Sequence, residues 1–295
     1  MPAKLDSVRR PLSLFFLIAC AGMPSQGQPA PPALSPAQAQ ALVERALATE
    51  SRAAQDMTSM SHPMRYRLRK TSPRLTSTKE IVETREGDVA RLLSINDQPL
   101  NQADEEHEQA RLQALMDNPS LQQHRKQSEN NDTARAMKIL RVLPSAFLYQ
   151  FAGTAQSAAG TVEKFSFKPN PQFDPPDMET GVLTAMAGEI WIDPVEERVV
   201  RLAGSLQQDK EIGLGILGEL DKGGWIEIDQ ANVGEHQWRI VHLKLVMNGR
   251  VLFKAKNSNS VQEYSEFVSL PPELSYKQAI QMLRADAWPV APAGH

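Results

Sequence analysis

The chain of 295 residues has one cysteine, Cys20, so no disulfide can form within it. It has one strongly apolar run, Leu12 to Ala19. That run of about eight residues is too short to cross a bilayer as a helix, which takes roughly 20. Lysine and arginine never mass into a block, and the formal charge is −3. A mildly acidic chain without a basic block is a poor partner for nucleic acid or anionic lipid. There is no G-x-S-x-G, no zincin motif and no thiol placed for nucleophilic catalysis. The six histidines are His62, His107, His124, His236, His242 and His295, and none belongs to an H-x-x-x-H or Cys/His set. His236 and His242 share parity on one expected strand but would stand about 20 Å apart if it is extended. His107 lies among Asp104, Glu105, Glu106 and Glu108, where a solvated acidic helix start is the simpler reading than a cation site. No interval repeats at a fixed period, which excludes solenoids and propellers. Catalysis therefore has no positive support, and neither a cofactor nor a metal is expected.

What is present begins with an export signal. Lys4, Arg9 and Arg10 form a basic region ahead of the apolar run, so residues 1–19 read as a signal peptide. Leu17-Ile18-Ala19-Cys20 has the form of a lipobox, which makes Cys20 the expected acylation site. Ala19-Cys20-Ala21 also satisfies the small-x-small rule for ordinary cleavage, which would leave a soluble periplasmic protein. Ala21 and Gly22 follow, without the aspartate associated with retention in the inner membrane, so the outer membrane, on its periplasmic side, is the expected address. Losing residues 1–19 would move the formal charge from −3 to −5.

Residues 20–34, with Pro29-Ala30-Pro31-Pro32, read as a stiff spacer behind the anchor. Residues 287–295 read as a frayed tail. One domain is expected over 35–286. Its first element is a helix from Pro36 to about Gln55, capped by Ser35. Met64, Tyr66 and Leu68 then alternate with Arg65, Arg67 and Arg69, the pattern of a half-buried strand. Strands Thr76–Arg85 and Val89–Asn96 follow around a hairpin, Glu86-Gly87-Asp88. A polar helical insertion fills 101–142, capped by Asn101, broken at Asn118-Pro119 and ending before Pro144. Strands are expected at 146–152, 161–168, 188–193, 197–205, 224–229, 237–247, 250–256 and 261–268, with Asn170 to Pro176 an irregular loop. A last helix covers about Ser275 to Arg284. The expected fold class is α+β: a curled, incomplete antiparallel barrel of about eleven strands with helices on its concave side.

Gly213-Leu214-Gly215-Ile216-Leu217-Gly218 matches G-x-G-x-x-G literally. A dinucleotide site needs a strand before this motif and a full helix after it. Here Glu219 to Lys222 runs into Gly223-Gly224 with no room for the helix, so no nucleotide partner is expected and the glycines read as bends.

Apolar residues at period two give the sheet one greasy face: Phe165 and Phe167, Ile190 and Ile192, Ile226 and Ile228, and Val241 through Met247. An ordinary filled core explains this pattern. A curled sheet of this size can also enclose more space than side chains fill, and the 11 methionines offer adaptable lining. Candidate lining residues for an apolar ligand are Tyr66, Leu68, Phe165, Phe167, Ile190, Ile192, Leu243 and Leu245.

The element order resembles that of the outer-membrane lipoprotein-sorting proteins, the LolA/LolB-like family. Met186-Ala187-Gly188-Glu189-Ile190-Trp191-Ile192-Asp193 followed by Arg198-Val199-Val200-Arg201-Leu202 is similar to a strand pair of that family, and the outline covers about 36–285. The resemblance implies a noncatalytic carrier or acceptor whose cavity shelters acyl chains of lipoproteins or lipids. An acylated Cys20 would match a membrane-anchored acceptor. The other reading is a structural or regulatory envelope lipoprotein that binds a protein partner.

Overall fold

The computed structural model describes residues 34–59, 61–212, 218–251, 254–255 and 257–285. The expected signal peptide, Cys20, most of the spacer and the tail lie outside these residues, as do Gly213 and Gly215.

Helix α1 (Pro36–Ser59) begins where Ser35 and Gln38 cap each other. The Gln38 amide donates to Ser35 Oγ at 3.3 Å, and the Ser35 amide to Gln38 Oε1 at 2.9 Å. Ala39, Leu42, Val43, Ala46 and Leu47, three or four residues apart, give it one buried face. A meander follows: β1 (Met64–Thr71), β2 (Thr76–Val82), β3 (Val89–Ile95) and the short β4 (Gln98–Pro99). The insertion is two helices, α2 (Gln102–Asp117) and α3 (Pro119–Ala146). Next come β5 (Phe147–Ser157), β6 (Gly160–Pro169), a single turn α4 (Met178–Gly181) running into a 3-10 turn, β7 (Met186–Asp193) and β8 (Arg198–Leu206). The chain continues through β9 (Lys210–Ile212), β10 (Gly218–Leu220), β11 (Trp225–Asn232), β12 (Trp238–Met247), β13 (Gly249–Val251) and β14 (Lys254–Ala255). It closes with β15 (Ser258–Ser269) and α5 (Tyr276–Arg284).

Eleven strands form one antiparallel sheet in the order β4-β3-β2-β1-β15-β12-β11-β8-β7-β6-β5, curled but not closed. This is the α+β architecture the sequence predicts. Of the strand expected over 250–256, the described residues 250–251 and 254–255 belong to a second sheet instead, of order β14-β13-β10-β9. There Gly249, Arg250 and Val251 pair with Leu220, Glu219 and Gly218 of β10.

Register fixes the two faces, since residues directly opposite in an antiparallel pair point the same way. Phe165 lies opposite Ile190, Ile190 opposite Leu202, Leu202 opposite Ile228, and Ile228 opposite Leu243. Leu243 faces Gln262, which faces Lys70. Tyr66 and Leu68 share Lys70's parity, so all of these lie on one inner face. Helix α1 packs there over β5 to β8, with Phe147, Phe165, Phe167, Ile190 and Ile192 buried beneath it. Helix α5, in contrast, packs on the outer face. Its stripe Tyr276, Ala279, Ile280 and Leu283 meets Val82 and Val89, which alternate with inward-facing Ile81 and Ala90, and meets Leu112 and Leu115 of α2.

Helix α3 does not stop before Pro144 as its sequence suggests, but continues to Ala146. The proline removes one backbone donor, yet Leu143 and Ala146 are buried against α1. Side chains also hold the last carbonyls: Ser145 Oγ donates to Val142 O, Tyr149 Oη to Leu143 O and Gln40 Nε2 to Pro144 O, at 2.9–3.0 Å. Burial and these bonds outweigh the missing donor.

Candidate functional site

The eight lining candidates divide into two groups of four. Phe165, Phe167, Ile190 and Ile192 are no more than 5% exposed, and all four belong to the core sealed by α1. They fill space rather than line it. Tyr66, Leu68, Leu243 and Leu245 are half-buried. They sit mid-sheet on β1 and β12, beside Ile228 and Tyr264, and none of these six belongs to a buried core cluster. The Tyr66 ring packs on Tyr264 and Phe267, with centroids 5.9 and 5.4 Å apart. Phe267 reaches this face because Glu266, in the left-handed region at φ 56°, adds a bulge that reverses the parity of β15.

Helix α3 starts beside the Tyr66 end of this region. At its start Gln122 Nε2 donates to Gly87 O at 2.8 Å, Arg125 Nη2 donates to Asp88 O at 3.2 Å, and Glu129 accepts from the Asp88 amide at 3.1 Å. At its other end it packs on α1 and leads into β5. Its 28 residues, about 42 Å at 1.5 Å each, connect the hairpin near one edge of the sheet to the strand at the other.

The hairpin end is polar. Part of Tyr66 is reached by solvent, but burial, then the nearby carboxylates of Asp88 and Glu83, push its phenol well above the usual value. Burial, reinforced by Glu129 and Glu83, pushes the Asp88 carboxyl up to about 8, and its Oδ1 has no hydrogen-bond partner. Burial also raises Glu129, and raises Glu83 against the opposing pull of Arg239. Lys79, on the same face, is lowered by burial and by Arg111 and Arg125. The inner face thus offers a half-open apolar strip with a poorly solvated acidic end. Sequence reasoning located the Glu86-Gly87-Asp88 hairpin but not this cluster, because Glu129 lies 41 residues from Asp88 and no local pattern links them.

The outer face carries a ladder of alternating charge instead. Lys164 and Arg201 flank Glu189 at 3.8 and 3.7 Å. Arg201 reaches Glu227 at 2.9 Å and Asp229 at 2.8 Å. His242 lies beside Glu227 and opposite Glu263, which binds Arg69 at 3.0 Å, and Arg69 binds Asp97 at 2.9 Å. Ligand atoms of Glu227, Asp229 and His242 come within 4.8 Å of one another, a grouping the sequence did not reveal because β11 and β12 supply it jointly. The Arg201 guanidinium already bonds both carboxylates, so a cation would have to displace it. His236 stands apart, against Glu196 at 3.3 Å.

An open cleft of about 850 Å³ lies at the start of β5, bordered by Pro36, Gln40, Pro144, Leu148, Gln150 and Lys168. Among the described residues no helix is long and apolar enough to cross a membrane. No family model, no curated protein and no solved structure matches this chain.

Proposed function

We propose that this protein is an exported, envelope-anchored carrier or acceptor that holds acyl chains of a lipid or lipoprotein against the inner face of its sheet. The observation that supports this most is the apolar strip of Tyr66, Leu68, Leu243 and Leu245, half-buried and absorbed into neither core. Ordinary packing leaves isolated apolar side chains at the surface; here Tyr66, Leu68, Tyr264 and Phe267 cluster on the inside of a curved sheet, with Leu243 and Leu245 on the same face across Gln262 and Ser260 of β15. Each methylene moved from water to such a strip is worth about 0.8 kcal/mol. A chain of a dozen or so methylenes therefore supplies binding free energy without any catalytic group. The lipobox at Cys20 gives the same reading its address.

The test is native mass spectrometry of the Cys20→Ser protein purified from a Gram-negative periplasm, with extraction and identification of bound lipid. Acyl species released on denaturation are the expected result. A clean apo mass, together with no response to added fluorescent fatty acid, would mean the strip is closed to lipid and would overturn the reading.

A further inference from the structure

The two edges of the large sheet are treated differently. Beyond the two-residue β4, the edge of β3 is covered by α2: Glu108 Oε1 accepts from the Leu92 amide at 2.8 Å, and Arg111 donates to Ala90 O. At the opposite edge stands β5, eleven residues long. Among the described residues, every hydrogen bond to its backbone comes from β6. Strands exposed in this way are ordinarily protected by charge or proline. β5 carries neither, and its sequence, Phe-Leu-Tyr-Gln-Phe-Ala-Gly-Thr-Ala-Gln-Ser, sits in a stretch, 142–162, with no charged residue in a chain that is 23% charged. Its one protective device is the bulge at Phe151–Gly153. Leu148, Gln150, Ala152, Thr154 and Gln156 are exposed along it, and the cleft of about 850 Å³ lies beside its first half.

We propose that β5 pairs antiparallel with β5 of a second copy of this chain, joining two eleven-stranded sheets into one. A two-fold interface sets each strand against itself, so any charge near the axis would meet its own kind. The uninterrupted neutrality of 142–162 removes that repulsion. Thr154 and Gln156 on one face, and Gln150 on the other, supply polar side chains able to hydrogen-bond across such a pair. The inference stands independently of whether lipid binds the inner face.

Sedimentation equilibrium on protein purified from a Gram-negative periplasm with Cys20→Ser tests it. A dimer is expected, with Ala152→Lys combined with Gln156→Lys weakening it by about tenfold or more while far-UV circular dichroism is unchanged. In the same background, Ala152→Cys should give an oxidised, covalent dimer, whereas Leu75→Cys, exposed in the β1–β2 turn, should not. A monomer persisting at about 100 µM would overturn the proposal and leave the edge to a strand of another protein. A dimer indifferent to the lysines, or crosslinked more readily through Leu75→Cys, would place the contact elsewhere and overturn it equally.

Discussion

Glu50 and Arg198 close a bidentate ion pair where the last turns of α1 meet the start of β8, 148 residues apart in the chain. Arg198 Nε lies 2.8 Å from Glu50 Oε1, and Nη2 lies 3.0 Å from Oε2. The Val199 amide also donates to Oε1 at 2.9 Å, and the Arg198 guanidinium stacks 5.4 Å from the centre of the Trp238 ring. Both residues are 9% exposed, so this charge pair sits at the margin of the core it orients. Glu50→Ala would leave Arg198 with no carboxylate in a poorly solvated place and release the Val199 amide. The expected cost is about 3–5 kcal/mol, read as a shift in urea midpoint at constant m. Glu50→Ala combined with Arg198→Met should recover much of it, because the uncompensated charge is then gone. A single variant as stable as the wild type would show that α1 is oriented by its apolar stripe alone.

Gly188 and Gly204 face each other across β7 and β8. A Cβ at Gly188 would lie 2.0 Å from the Ala203 carbonyl oxygen, and one at Gly204 would lie 3.1 Å from Cζ of Phe167. The glycine pair lets the strands approach closely and leaves room for the Phe167 ring beneath α1. Gly188→Ala should therefore cost about 3 kcal/mol, since backbone rather than a flexible side chain must move. Thermal denaturation measures it, and an unchanged midpoint would mean the strands separate at no cost.

The fold was legible where a pattern is local. Alternation in Met64 to Arg69, the cap at Ser35, and the paired apolar positions of β6, β7 and β12 each follow from residues within one element, and the structure bears them out. The ends of α3 and the split of 250–256 into a second sheet were not legible, because both depend on partners distant in sequence. The same holds at the candidate site. Period-two alternation placed all eight lining candidates on one face, but could not say which of them α1 would bury. That depends on where a 24-residue helix lands, which is fixed by pairs such as Glu50 with Arg198.

The division of the eight candidates makes opposite predictions for two substitutions. Phe165→Ala removes a fully buried ring beneath α1 and should lower stability by about 3–5 kcal/mol. Its effect on ligand affinity, measured on the fraction that remains folded, should be small. Leu243→Glu places a carboxylate on the half-buried strip and should abolish acyl binding while costing the fold much less. Fluorescent fatty-acid titration beside chemical denaturation separates the two. Retained binding by a folded Leu243→Glu protein would remove Leu243 from the strip's working residues.

The carboxyl of Asp88 sets a pH dependence whose sign is opposite to that of an ordinary salt-bridged acid. Its value rises from 3.8 to about 8 through burial and the carboxylates of Glu129 and Glu83. Between those two values the folded protein holds a proton that the unfolded chain has lost, so stability falls as pH rises through the window. The limiting slope for one such group is about 1.4 kcal/mol per pH unit. Asp88→Asn removes the ionisation but leaves the backbone bonds to Glu129 and Arg125, which use the amide and carbonyl of residue 88. The variant should gain on the wild type progressively from pH 4 to pH 8. Glu83 and Glu129, also raised, act in the same direction, so a residual slope should persist in the variant. Glu108 acts oppositely: burial would raise it, but Arg111 and the Leu92 amide hold it below 4.5, so its contribution is lost only in acid. Urea unfolding of both proteins at pH 5 and pH 8 decides the matter. Parallel lines would mean that Asp88 ionises freely in the fold and that the pH response arises elsewhere.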